Sequence, residues 1–137
     1  MWKWCGQAST KKHSGGTAGK IECRVADPEI ADIAKREGIT RSMAAMRAFG
    51  KELDGSIIAI GNAPTALFEV LRLAEKENIL PAVIIGIPVG FVGAADSKKL
   101  LAENTLVPYV TVEGTKGGSP IAASVVNAIM YLLDNRR

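Results

Sequence analysis

Two stretches decide the fold: Ser56-Ile57-Ile58-Ala59-Ile60-Gly61-Asn62-Ala63-Pro64-Thr65 and Ala82-Val83-Ile84-Ile85-Gly86-Ile87-Pro88-Val89-Gly90-Phe91-Val92-Gly93-Ala94-Ala95. Each opens on a short apolar, β-branched run and breaks abruptly at Gly or Pro. Each is then followed by apolar residues at helical spacing. Runs of this length, apolar on both sides of the pleat, are the pattern of buried parallel strands. The loops behind them therefore lie at the carboxyl ends of strands, where open α/β sheets bind ligands.

Working outward, Ile21-Glu22-Cys23-Arg24-Val25 alternates and predicts a strand. Asp27-Pro28 supplies an N-cap and a proline at the first helical position, opening a helix to about Glu37 that Gly38 can end. Thr40 or Ser42 caps a second helix running through Leu53 to the stop at Asp54-Gly55. Asn62 is the expected cap of the next helix, with Pro64 near its start and Asn78 at its end. From Ala94 to Glu103 the pattern predicts Leu100 and Leu101 inward and Lys98 and Lys99 outward. Val107 to Val112 is a further strand, placed at the periphery because Pro108 cannot donate to a ladder. A third glycine loop, Gly114-Thr115-Lys116-Gly117-Gly118-Ser119-Pro120, precedes a last helix from Ile121 to about Asp134. The order βααβαβαβα predicts an α/β fold, a three-layer α/β/α sandwich with a mostly parallel sheet.

The chain has 137 residues, 47% of them apolar and 23% charged, values of an ordinary globular domain. A net charge of +3 with scattered basic residues and few aromatics predicts no nucleic-acid surface. No apolar run approaches the roughly 20 residues that span a bilayer, and the lysine-bearing start lacks the apolar segment of a signal peptide. A cytoplasmic, soluble protein without a membrane partner is the expectation. Cys5 and Cys23 have no CxxC or histidine partner at metal spacing, so reduced thiols and no metal site are expected.

Glycines let a ligand approach the backbone, and helix N-termini offer free N–H groups and positive dipole ends. Three such termini, near Asn62, Gly93 and Ser119, suit a ligand with several carboxylates or phosphates. The loops lack the GxxxxGK[ST] order of a phosphate-binding loop and the GxGxxG dinucleotide fingerprint, which disfavours ATP and NAD. Arg41 stands near a helix start, where positive charge opposes the macrodipole. Contact with a substrate carboxylate would explain it, since guanidinium grips carboxylates bidentately; a solvated surface arginine is the plain alternative. His13, the one histidine, falls in the polar stretch before Lys20 and is read as solvent-exposed.

Ala59-Ile60-Gly61-Asn62-Ala63-Pro64-Thr65-Ala66-Leu67, the Pro88 to Ala95 loop, the Gly38-Ile39-Thr40-Arg41-Ser42 turn and Gly117-Gly118-Ser119 together resemble the precorrin-8X methylmutase family, including its cobalt-precorrin-8 form. The resemblance runs from about Lys20 to the C-terminus. It implies an isomerase of cobalamin biosynthesis that moves a methyl group between neighbouring carbons of the corrin ring, giving hydrogenobyrinate or cobyrinate. It also implies no cofactor, a homodimer with a shared pocket, and a polycarboxylate tetrapyrrole as substrate. By resemblance Thr40 and Arg41 match substrate-contacting positions. Asn62, Gly90, Phe91 and Ser119 are substrate-binding candidates taken from the loops.

The family's catalytic histidine belongs to an N-terminal portion that does not align here, and His13 does not fall in its motif, so no catalytic residue is assigned. Residues 1–19 lack strand or helix period and are read as a leader outside the family domain of residues 20–137, disordered or the product of a shifted reading frame. The expected function is methylmutase. A tetrapyrrole-binding remnant without turnover is the alternative, and an unrelated nucleotide-binding α/β protein is the third reading, disfavoured by motif length.

Overall fold

A computed structural model describes residues 2–5 and 21–135. Among these residues, five strands and five α-helices follow one another: β1 (Trp2–Cys5), β2 (Ile21–Glu22), α1 (Pro28–Glu37), α2 (Arg41–Phe49), β3 (Ile57–Ile60), α3 (Pro64–Glu77), β4 (Val83–Gly86), α4 (Ala94–Glu103), β5 (Tyr109–Thr111) and α5 (Ser119–Asp134). The strands form one sheet in the order β2-β1-β3-β4-β5, and every pairing is parallel. This is the predicted α/β architecture, with one strand more than the sequence pattern suggests.

That strand is β1. The sequence reading leaves Met1 to Gly19 without regular structure, whereas Trp2–Cys5 pairs with β3 from Trp2↔Ile57 to Cys5↔Ile60 and with β2 on its other side. Residues 6–20, His13 among them, and the Cys5 thiol lie outside what is described. Cys23 carries a free, exposed thiol.

The pleat sorts the two central strands between two cores. Ile58, Ile60 and Ile84 face α1 to α4 in a large cluster that includes Ile30, Met46, Phe49, Leu67 and Leu101. Ala59 and Ile85, one residue out of step, face the opposite way, against Ala122 and Val126 of α5. Helices on both faces make the three layers.

Local signals set most boundaries. Asp27 and Pro28 open α1, and Gly38, with φ +65°, closes it. Thr40 rather than Ser42 caps α2, its hydroxyl accepting from the Met43 N–H at 3.2 Å. The second helix is shorter than its pattern: α2 stops at Phe49, and Gly50–Leu53 tightens into a 3₁₀ turn that still buries Leu53. Ala63, not Asn62, is the N-cap of α3 and makes no side-chain cap bond. Asn78 ends α3 in the left-handed region, at φ +53°.

An ion-pair network locks α2 to α3. Glu69 is 1% exposed and accepts from Arg47 Nε at 2.8 Å and from Arg72 Nη2 at 2.7 Å. Burial alone would push its carboxyl up, but the hydrogen bonds from Arg72 and Arg47 outweigh that and hold it below the usual glutamate range. An open hollow of about 390 Å³ lies over this network, lined by Glu37, Arg47, Arg72, Leu73 and Glu77. Its charged groups are already paired with one another, Arg47 with Glu37 and Arg72 with Glu77, so it is part of the scaffold.

Candidate active site

The strand order places a topological switch point between β1 and β3: the chain first moves outward to β2, then returns past β1 and continues through β3, β4 and β5. Parallel α/β sheets open a crevice at such a point, outside the carboxyl ends of the strands. The first loop, Gly61 to Thr65, begins there.

The three glycine loops and the Gly38–Ser42 turn meet along this one edge. The Thr40 and Thr65 hydroxyls share a hydrogen bond of 2.9 Å, joining the N-terminus of α2 to that of α3. A Cβ on Gly93 would touch the Pro64 ring at 3.5 Å, which puts the second loop beside the first. Gly90 N–H donates to Thr115 O at 3.0 Å and Gly118 N–H donates to Ile87 O at 2.9 Å, which zips the second loop to the third.

Two glycines make this assembly sterically possible. A Cβ on Gly61 would stand 2.5 Å from Ser119 Cα and 2.8 Å from Ser119 N. The start of α5 therefore rests directly on the end of β3. A Cβ on Gly117 would lie 2.6 Å from Ile87 O and 2.9 Å from Pro88 O. Only glycine permits backbones to approach this closely.

The sequence candidates occupy this edge with different degrees of exposure. Thr40 and Arg41 are exposed at the first turn of α2, and Arg41 has no ion-pair partner among the described residues. Asn62 is exposed in the first loop, while Gly90 and Ser119 are half-buried. Phe91 is 95% and Val92 90% exposed, so the tip of the second loop presents an apolar surface to solvent. The edge thus combines the N-termini of α3, α4 and α5, which have no side-chain caps, a guanidinium without an ion-pair partner among the described residues and an apolar tip.

One residue of this region escapes the sequence reading. Lys98, predicted outward, is 2% exposed, and Leu100, predicted inward, is 44% exposed. The buried stripe of α4 is Ala94, Ser97, Lys98 and Leu101. Small residues at Ala94 and Ser97 bring that side of the helix close to its neighbours, and the spacing 94, 97, 98, 101 carries Lys98 inward with Leu101. No helix among the described residues is long and apolar enough to cross a membrane, and no group of three or more candidate metal ligands occurs among them.

A parallel α/β domain with this edge belongs to a defined class. Residues 6–132 match the family CbiC, precorrin-8X methylmutase, and the chain belongs to that family. The match begins within the stretch read from sequence as leader.

Among its relatives, the cobalt-precorrin-8 methylmutase of Methanocaldococcus jannaschii is 46% identical over 118 residues, which cover 86% of this chain and 56% of that protein. The precorrin-8X methylmutase of Pseudomonas aeruginosa is 45% identical over 113 residues, covering 82% of this chain and 54% of that one. The solved structure of the Thermus thermophilus precorrin-8x methyl mutase superposes with a TM-score of 0.72 at 35% identity, over 82% of this chain and 54% of that one. A second solved structure, a precorrin-8X methylmutase related protein, gives a TM-score of 0.73 at 43% identity, over 79% of this chain and 56% of that one. The chain spans about half the length of these relatives.

Proposed function

We propose that this chain carries the corrin-binding edge of a methylmutase of cobalamin biosynthesis, an isomerase acting on precorrin-8X or cobalt-precorrin-8. The observation that carries this reading is the convergence of the Thr40–Arg41 turn with the three glycine loops on one sheet edge of a family member. In this reading Arg41 grips a peripheral carboxylate of the tetrapyrrole and the Thr40 hydroxyl hydrogen-bonds a second. Asn62 and Ser119 bring donors to further carboxylates, and Gly90, whose N–H is held by Thr115 O, lets the ring approach the second loop closely. Phe91 packs on the apolar face of the ring.

The reaction moves a methyl group between neighbouring ring carbons and leaves the molecular formula unchanged. The residues of this edge hold and orient the ring during that migration. Proton handling at the ring belongs to a histidine on the portion of the family fold that the resemblance places before this domain. The functional protein is a cytoplasmic homodimer in this reading, as the family resemblance implies.

Absorbance titration of the purified chain with hydrogenobyrinate or cobyrinate, the products of the reaction, tests the reading. Saturable binding that weakens in Arg41→Ala is expected. Binding of neither corrinoid, by a chain that is folded by circular dichroism, would overturn it. Conversion of precorrin-8X to hydrogenobyrinate in the same preparation separates an enzyme from a binding remnant.

A further inference from the structure

Lys98 is a buried cation with no carboxylate partner among the described residues. Its Nζ donates to the backbone carbonyl of Lys116 at 2.6 Å. Desolvation of an ammonium is costly, and an apolar side chain of the same length would avoid that cost. A methionine in its place could not supply a charged donor to a backbone carbonyl, and such bonds are stronger than neutral ones.

The position of that carbonyl gives the bond its meaning. Lys116 lies in the third glycine loop, between Thr115, whose carbonyl accepts from Gly90 N–H, and Gly118, whose N–H donates to Ile87 O. These three contacts hold the loop along its length, and Lys98 supplies the one made by a side chain. The helix that carries Lys98 starts at Gly93, at the end of the second loop. One side chain thus ties the helix growing out of the second loop to the body of the third. Beyond Gly118 the chain enters α5 at Ser119, against Gly61 of the first loop.

We propose that Lys98 is a positioning residue for the ligand-binding edge: its ammonium fixes the Gly114–Gly118 loop against the Pro88–Gly93 loop, and so sets where the N-terminus of α5 meets the substrate. The inference rests on the corrin-site reading above for its ligand, but the anchoring itself is measurable without one.

The test compares the full chain as wild type, Lys98→Met and Lys98→Arg. Amide hydrogen exchange is followed at Gly90 and Gly118, and cobyrinate binding by absorbance titration. In Lys98→Met the Gly90 and Gly118 amides should exchange roughly tenfold faster or more, as expected for loss of a charge-assisted bond. Amides of β3 and β4 should keep their protection, and the affinity for cobyrinate should fall by a similar factor. Lys98→Arg should recover both readouts, since it restores a charged donor.

Unchanged exchange at Gly90 and Gly118 in Lys98→Met overturns the proposal. So does a folded Lys98→Arg as loose at these amides as Lys98→Met. If Lys98→Met does not fold, Lys98→Arg decides alone: wild-type loop protection and affinity support the proposal, and loosened amides overturn it. Wild-type protein that binds no cobyrinate, while exchange behaves as expected, supports the anchor and overturns only the corrin-site reading.

Discussion

The hydroxyls of Thr40 and Thr65 meet at 2.9 Å, so the residue that caps α2 also ties that helix to the first turn of α3. Replacing Thr40 with Ala removes the cap and the tie together. A loss of about 1 kcal/mol is expected from the cap alone, read as a lower denaturant midpoint. Thr65→Val removes only the tie. It should leave stability nearly unchanged but weaken corrinoid binding, because Arg41, the next residue along, is then no longer registered to the first loop.

Arg41 itself has little to lose in stability, being exposed and without an ion-pair partner among the described residues. Arg41→Ala should leave the melting transition in place and weaken cobyrinate binding about tenfold or more, the scale of a hydrogen bond to a charged group. Arg41→Lys should recover only part of this, since an ammonium cannot reproduce a bidentate grip. Titration of both variants at low and moderate salt would check the prediction.

Gly61→Ala would drive a methyl group into the backbone of Ser119. The end of β3 and the start of α5 must then separate, with an expected loss on the order of 1–3 kcal/mol and a displaced α5 N-terminus. Thermal unfolding should register the first effect and corrinoid titration the second.

Glu69 links stability to pH. Its folded-state carboxyl sits below the usual glutamate range because Arg72 and Arg47 outweigh the effect of burial. A depressed carboxylate stabilises the fold fully above the unfolded-state pKa, near 4.3 for an unperturbed glutamate. That contribution is lost as pH falls through the lower, folded value. Glu69→Gln should therefore destabilise the protein on the order of 1–3 kcal/mol at neutral pH, because the charge-assisted hydrogen bonds at this buried site are weakened while Arg47 keeps Glu37 and Arg72 keeps Glu77. It should also flatten the loss of stability on acidification, measured by urea melts across the acidic range.

The sheet centre was legible because Ile57 to Ile60 and Val83 to Ile87 are β-branched runs that end in Gly or Pro, a pattern that needs no tertiary context. The edge position of β5 followed from Pro108. By contrast, Trp2–Cys5 forms β1 from a short stretch that mixes Trp, Lys and Cys, and only its place between β2 and β3 reveals it as a strand. Tertiary pairing overrides weak local preference here.

Lys98 was missed for a related reason. Charge argues for solvent, and the Lys98-Lys99-Leu100-Leu101 run invites a division into polar and apolar pairs. Helical geometry instead groups Lys98 with Leu101 and with the small residues Ala94 and Ser97. The loops themselves were readable as a set, but their mutual contacts, such as Gly61 on Ser119, depend on strand order and could not be read from spacing.

The sheet order also bears on how two copies of the chain would meet. Among the described residues both outermost strands are brief: Ile21–Glu22 on one side and Tyr109–Thr111 on the other, the latter preceded by a proline. A rim this short, with Pro108 unable to donate at its start, is a poor template for strand-by-strand growth between molecules. Self-association, where it occurs, should therefore proceed through side chains such as Tyr131, Leu132 and Leu133 on the exposed end of α5. It should leave the infrared signature of intermolecular β-structure absent.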